Sequence, residues 1–294
     1  MKKLRLVFAS LVVAVLLTVS MTSLAPAAQP SKEPMRDITS SRLGTQWARE
    51  AAGRWQEMGI DCDSKDIRIY RLQDGGYFAA PESAEISMEY VEMEDGSMKL
   101  EPVIVARPDS LLVESDSREL PTDFQTQSGE YWNLVGNQAF ARFEDGKGWM
   151  DHAYKMHKLV VETIPNKDYY QLEHWATAKS KGAWILYAAH VWCQKQSSSS
   201  PMEWVDWDPQ ADQDYGSGGQ SVTIGISYIV EISSTYTVRD KWDITKYAEA
   251  GKFKNSWRGS AWRSERNVAY MICVSVPEGG WPAWTLSAQY TTFL

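Results

Sequence analysis

Cysteine and histidine are scarce in this chain of 294 residues, which holds three of the first and four of the second. Three cysteines cannot build the dense disulfide framework of a small secreted scaffold, and they leave an odd thiol. Signature spacings for nucleophile elbows, zinc proteases, phosphate loops and paired CxxC sites are missing, so no catalytic role follows from motif alone. There is no basic excess either. Thirty Lys and Arg stand against 38 Asp and Glu, a net charge of −8, which argues against nucleic acid as a partner. Beyond the first 21 residues no apolar run approaches the ~20 residues that a membrane-spanning helix needs.

What is present starts with a targeting pattern. Lys2, Lys3 and Arg5 precede a largely apolar stretch from Leu6 to Met21, followed by Ala25-Pro26-Ala27-Ala28. Residues 1–28 read as a secretory signal peptide that is cut off, leaving no transmembrane anchor and a secreted or extracytoplasmic product. The remaining charge is segregated. Residues 82–130 hold thirteen acidic against three basic side chains, whereas residues 239–266 hold eight basic against four acidic. This bipolarity predicts that the acidic N-terminal part packs on the basic segment and masks it.

Periodicity predicts a small α+β N-terminal unit followed by a mainly antiparallel β-sandwich domain. Leu43, Trp47, Ala51, Trp55 and Met58 recur at helical spacing ahead of Gly59, and alternating stretches at 67–72, 86–90 and 98–105 read as strands. The organisation expected is an α+β domain over 35–117, a polar linker over 118–129 and a Trp-rich β-sandwich over 130–294. Within the latter, 169–178 and 184–195 read as a hairpin, 221–235 as a strand with one apolar face, and 268–276 and 284–293 as further strands. A short helix is expected over 243–250, capped by Asp243 and stopped by Gly251.

Candidate chemistry falls in four places. In the expected hairpin His174 and His190 occupy facing strands, directly opposite with a turn at Lys181 to Ala183, whereas a turn at Ser180-Lys181 would oppose His174 to Tyr187. With Glu173 adjacent, this is a cluster that a hydrolase could assemble in space. Asp206, Asp208, Asp212 and Asp214, followed by Gly216, Gly218 and Gly219, offer hard oxygen ligands for calcium, although not in the helix-loop-helix pattern. Cys193 and Cys273, both in expected strands, are the favoured disulfide pair. The basic, aromatic segment with Trp242, Trp257, Arg258, Trp262 and Arg263 can stack flat rings on sugar and pair cations with acid groups.

Of the fourteen Trp, those in or beside expected loops are 204, 207, 242, 257, 262, 281 and 284. The leading reading is therefore a secreted binding or surface-interaction protein that recognises anionic glycan or cell-envelope material. One alternative is an extracellular hydrolase using Glu173, His174 and His190. The other is a membrane-inserting β-assembly, since Ser221 to Thr237 has the one-sided alternation of a barrel wall.

Overall fold

The computed structural model describes residues 34–93, 96–108, 131–160, 164–227, 231–247 and 251–294. The expected signal peptide and the expected linker lie outside these residues.

The alternating sequence segments are spent on two antiparallel sheets. The eight-stranded sheet runs in the order β1 (Met35–Asp37), β2 (Ile67–Leu72), β3 (Tyr77–Pro81), β6 (Trp132–Glu144), β7 (Gly148–Leu159), β8 (Lys167–Ser180), β16 (Arg266–Pro277) and β10 (Glu203–Asp208). The seven-stranded sheet runs β11 (Gln213–Asp214), β14 (Lys241–Tyr247), β15 (Lys252–Trp262), β9 (Ile185–Lys195), β17 (Trp284–Phe293), β5 (Met98–Ala106) and β4 (Ile86–Glu92). They pack as a sandwich, as the alternation predicts. Side chains on the facing surfaces meet across the interior, with the rings of Phe253 and Tyr270 4.9 Å apart and Asn255 Nδ2 donating to the Ala269 carbonyl at 2.6 Å.

The one described α-helix, α1 (Arg42–Glu57), begins where the Ser41 hydroxyl accepts from the Gly44 amide at 3.0 Å. It lies on the outer surface of the eight-stranded sheet. Trp47, Ala51 and Trp55 form its buried face, and Trp47 stacks on Phe143 at 5.1 Å. Arg54 is ion-paired with the buried Asp151, Nη2 to Oδ1 being 3.1 Å, while its guanidinium also lies over the rings of Phe143 and Trp149. Gly44 is obligatory here, because a Cβ at that position would lie 2.2 Å from the Ile38 carbonyl oxygen.

Three expectations are corrected by this architecture. The strands expected to form a separate α+β domain are built into the same sheets as the later ones. β3 pairs with β6 and β5 pairs with β17, because edge backbone groups on either part find their partners on the other. Residues 34–294 accordingly form one compact unit. Residues 241–247 are strand β14 instead of the start of a helix, since Ile244 and Lys246 pair with Asn255 and Phe253 of β15. Tertiary pairing here overrides a capped, stop-flanked local pattern.

The third correction concerns β8 and β9. They do not form a hairpin ladder, for β8 pairs with β7 and β16 while β9 pairs with β15 and β17, so the turn between them crosses from one sheet to the other. The alternating stretch from Ser221 folds back on itself as the hairpin β12 (Gln220–Ile226) and β13 (Ile232–Val238). Its apolar face, with Ile224, Ile226, Ile232 and Val238, is buried in the same core as the sheets. No described helix is long and apolar enough to cross a membrane.

Candidate functional site

One end of the seven-stranded sheet carries a concentration of exposed rings. Trp262 of β15 and Phe293 of β17 both lie opposite Ile185 of β9, so their side chains share one face. That face points to solvent, since the adjacent Leu186 and its partner Ala261 are buried. Trp262 is 62% exposed, Tyr187 46% and Phe293 42%. The register slips between Thr291 and Thr292 on β17, which leaves Tyr187 as an extra residue on β9 there, and between Arg258 and Ala261 on β15, where Gly259 and Ser260 stand against Tyr187. Such bulges re-aim side chains. Tyr187 consequently meets Phe293 edge to face at 6.0 Å.

A positioned cation completes this surface. The Arg263 guanidinium lies 4.9 Å from the centre of the Trp262 ring, its Nε donates to the Gly182 carbonyl at 2.9 Å, and its amide donates to the Ser180 hydroxyl at 3.1 Å. Its backbone φ is 53°, in the left-handed region that a long side chain seldom adopts. Arg258, four residues before Trp262, is also exposed, opposite Ala188 on β9. Trp281, on a loop where Ser200 Oγ accepts from its amide at 3.1 Å, is the other exposed tryptophan among the described residues.

Trp242 and Trp257, expected as ligand contacts, are core residues. Both are fully buried; Trp242 Nε1 donates to the Asn267 carbonyl at 3.0 Å, and Trp257 Nε1 reaches Asp240 at 3.3 Å. Their strands place them on the inward parity, which local composition does not reveal. Trp284 is buried as well, while Trp204 and Trp207 are half-buried in β10, where Lys246 sits 2.8 Å from the Trp207 ring centre.

Glu173, His174 and His190 are not brought together. Glu173 points to the outer side of β8 and accepts a hydrogen bond from the Tyr236 hydroxyl of β13, whereas His174 points into the interior. His190 belongs to the other sheet, opposite Ser256 and Gln289. His174 instead joins a sealed chain. Its Nε2 lies 3.1 Å from His152 Nδ1, and its Nδ1 lies 3.0 Å from the Tyr270 hydroxyl. Burial depresses both imidazoles, His152 to about 3 and His174 well below the ordinary value, so the pair is neutral and donor and acceptor alternate along it.

The four aspartates do not converge on one point either. Asp206 accepts from the amides of Trp207 and Ser227, Asp208 from Gly225, Asp212 from Ile244 and Asp214 from Gly216. Each carboxylate fastens a different piece of backbone, and among the described residues no group of three His, Cys, Asp or Glu is arranged to hold a metal ion. The expected disulfide is not formed. Cys193 lies in β9 and Cys273 in β16, on different sheets; both are free, and burial pushes each thiol up to about 12. Cys273 is three residues from the inward-facing Tyr270 and so points away from the interior that Cys193 enters.

The described part of the acidic stretch, β4 and β5, sits at the opposite edge of the seven-stranded sheet from β14, with β9 and β17 between it and the basic β15. It does not lie on the basic segment. The sequence matches no protein-family model and no curated protein.

Proposed function

We propose that this is a secreted binding protein that recognises anionic glycan of a cell surface or envelope through Trp262, Tyr187, Phe293, Arg258 and Arg263. The observation that carries this reading is the Trp262–Arg263 pair, an exposed indole with a guanidinium held over it in a strained backbone conformation. A flat ring packs on the C–H face of a sugar, and a guanidinium pairs in bidentate fashion with a carboxylate or sulfate. Arg258 and the second ring pair, Tyr187 with Phe293, extend the surface toward neighbouring sugar units. The amino-terminal pattern of basic residues, apolar stretch and small residues supports export to the compartment where such polymers occur.

Electrophoresis in gels containing polygalacturonate, dextran sulfate or neutral dextran tests the proposal. Retardation is expected with the two anionic polymers and not with dextran. Trp262→Ala should weaken retention about tenfold, or ~1.4 kcal/mol, and Arg263→Ala should weaken it less while reducing its salt dependence. Equal mobility of the wild type in all gels would overturn the reading.

A further inference from the structure

A cavity of about 230 Å³ opens far along the chain from the Trp262 surface, between the β2–β3 turn and the β4–β5 hairpin. Its lining includes Leu72, Asp74, Met88, Lys99 and Glu101. Four charged groups meet there. Arg142, buried behind the cavity, reaches Asp74 Oδ2 at 2.6 Å and pairs through Nη1 with Glu101 Oε2, while Lys99 Nζ lies 2.5 Å from Asp74 Oδ2 and 2.7 Å from Glu101 Oε1. Two carboxylates and two cations leave the site without net charge.

The cluster is not fully satisfied by itself. Glu101 is 2% exposed, and its Oε1, although ion-paired with the Lys99 ammonium at 2.7 Å, has no hydrogen-bond partner among the described residues. A buried carboxylate oxygen in that state favours a ligand that donates to it. Lys99, more than a third exposed, can in turn donate to a ligand oxygen. Leu72 and Met88 supply an apolar wall beside these polar groups. The volume corresponds to roughly eight waters at ~30 Å³ each, smaller than the ~300 Å³ typical of sites for drug-sized molecules.

We propose that this cavity binds a single neutral sugar ring or similar cyclic polyol, with one hydroxyl donating to Glu101 Oε1, another accepting from Lys99, and the C–H face of the ring against Leu72 and Met88. Neutral hydroxyls satisfy both signs of charge at once, whereas an acidic sugar meets two carboxylates and an amino sugar meets two cations. The site is independent of the Trp262 surface and of the reading given to it.

Saturation-transfer difference NMR of the purified protein with glucose, galactose, mannose and N-acetylglucosamine, each at millimolar concentration, tests this directly. At least one should show transfer, and glucuronate should show less than glucose. Met88→Trp, which fills the cavity without touching the charges, should weaken binding about tenfold or more, as should Lys99→Met and Glu101→Gln. Trp262→Ala should leave it unchanged. Absence of transfer from all four sugars to the wild type, or undiminished binding by the folded Met88→Trp variant, would overturn the proposal.

Discussion

At the scale of single residues, what separates the tryptophans is parity. Trp257 and Trp262 are five apart on β15, yet one fills the interior and the other faces solvent with a guanidinium above it. A strand without irregularity would place residues five apart on opposite faces, so the outcome follows from the period of two. What the amino-acid string conceals is the starting phase. Tyr187 and Phe293 were missed for a related reason: nothing local shows that β9 and β17 bring them together, and only the cross-strand pairing does. The two tryptophans therefore predict opposite phenotypes. Trp257→Ala should lower unfolding free energy by about 3–5 kcal/mol, whereas Trp262→Ala should change it by less than about 0.5 kcal/mol while weakening polymer retention. Denaturant titration of both variants checks this, and equal stability losses would contradict the assignment.

At the scale of elements, local pattern succeeded where an element's own residues determine it and failed where a partner does. Helix α1 is legible from its apolar spacing and the Gly59 stop, and the strands at 67–72, 98–105, 268–276 and 284–293 from their composition. β14 is not, because Asp243 and Gly251 imitate helix signals while β15 supplies the ladder that decides. The crossing from β8 to β9 is likewise invisible, since an inter-sheet turn and a hairpin turn use the same small residues. The attachment of α1 combines the packing of Trp47 and Trp55 with one buried ion pair, Arg54 with Asp151. Burial raises the Asp151 carboxyl above its ordinary range even though Arg54 opposes this, so loss of the guanidinium would strand a buried charge. Arg54→Ala should cost about 3–5 kcal/mol, and the double variant Arg54→Ala, Asp151→Asn should recover much of it. A double variant no more stable than Arg54→Ala would show that the pair does not hold the helix through charge.

At the scale of the whole molecule, the mainly antiparallel sandwich was readable in advance, but its unity was not. Strands from before and after the polar stretch at 118–129 share both sheets, and contacts of such sequence separation leave no local trace. All four histidines are buried, and three of them give the molecule a pH response. His152 is lowered to about 3, His157 to about 4 and His174 well below the ordinary value, chiefly by burial. All three are neutral in the folded state and take up protons in the unfolded state below about pH 6.5. Stability is therefore present above pH 6.5 and lost as pH falls toward the folded values, by about 2 kcal/mol per histidine between pH 7 and 5. Thermal unfolding across that range should show a steep decline that His157→Gln makes shallower; a flat profile would contradict the neutral, sealed histidines. The functional claim rests on one indole, and indole N–H resonances report on each tryptophan separately. In a sample carrying ¹⁵N-labelled tryptophan, oligogalacturonate should shift the Trp262 signal, identified by its loss in Trp262→Phe, and leave those of the buried Trp242 and Trp257 in place. An unmoved Trp262 signal at saturating oligogalacturonate would contradict the account.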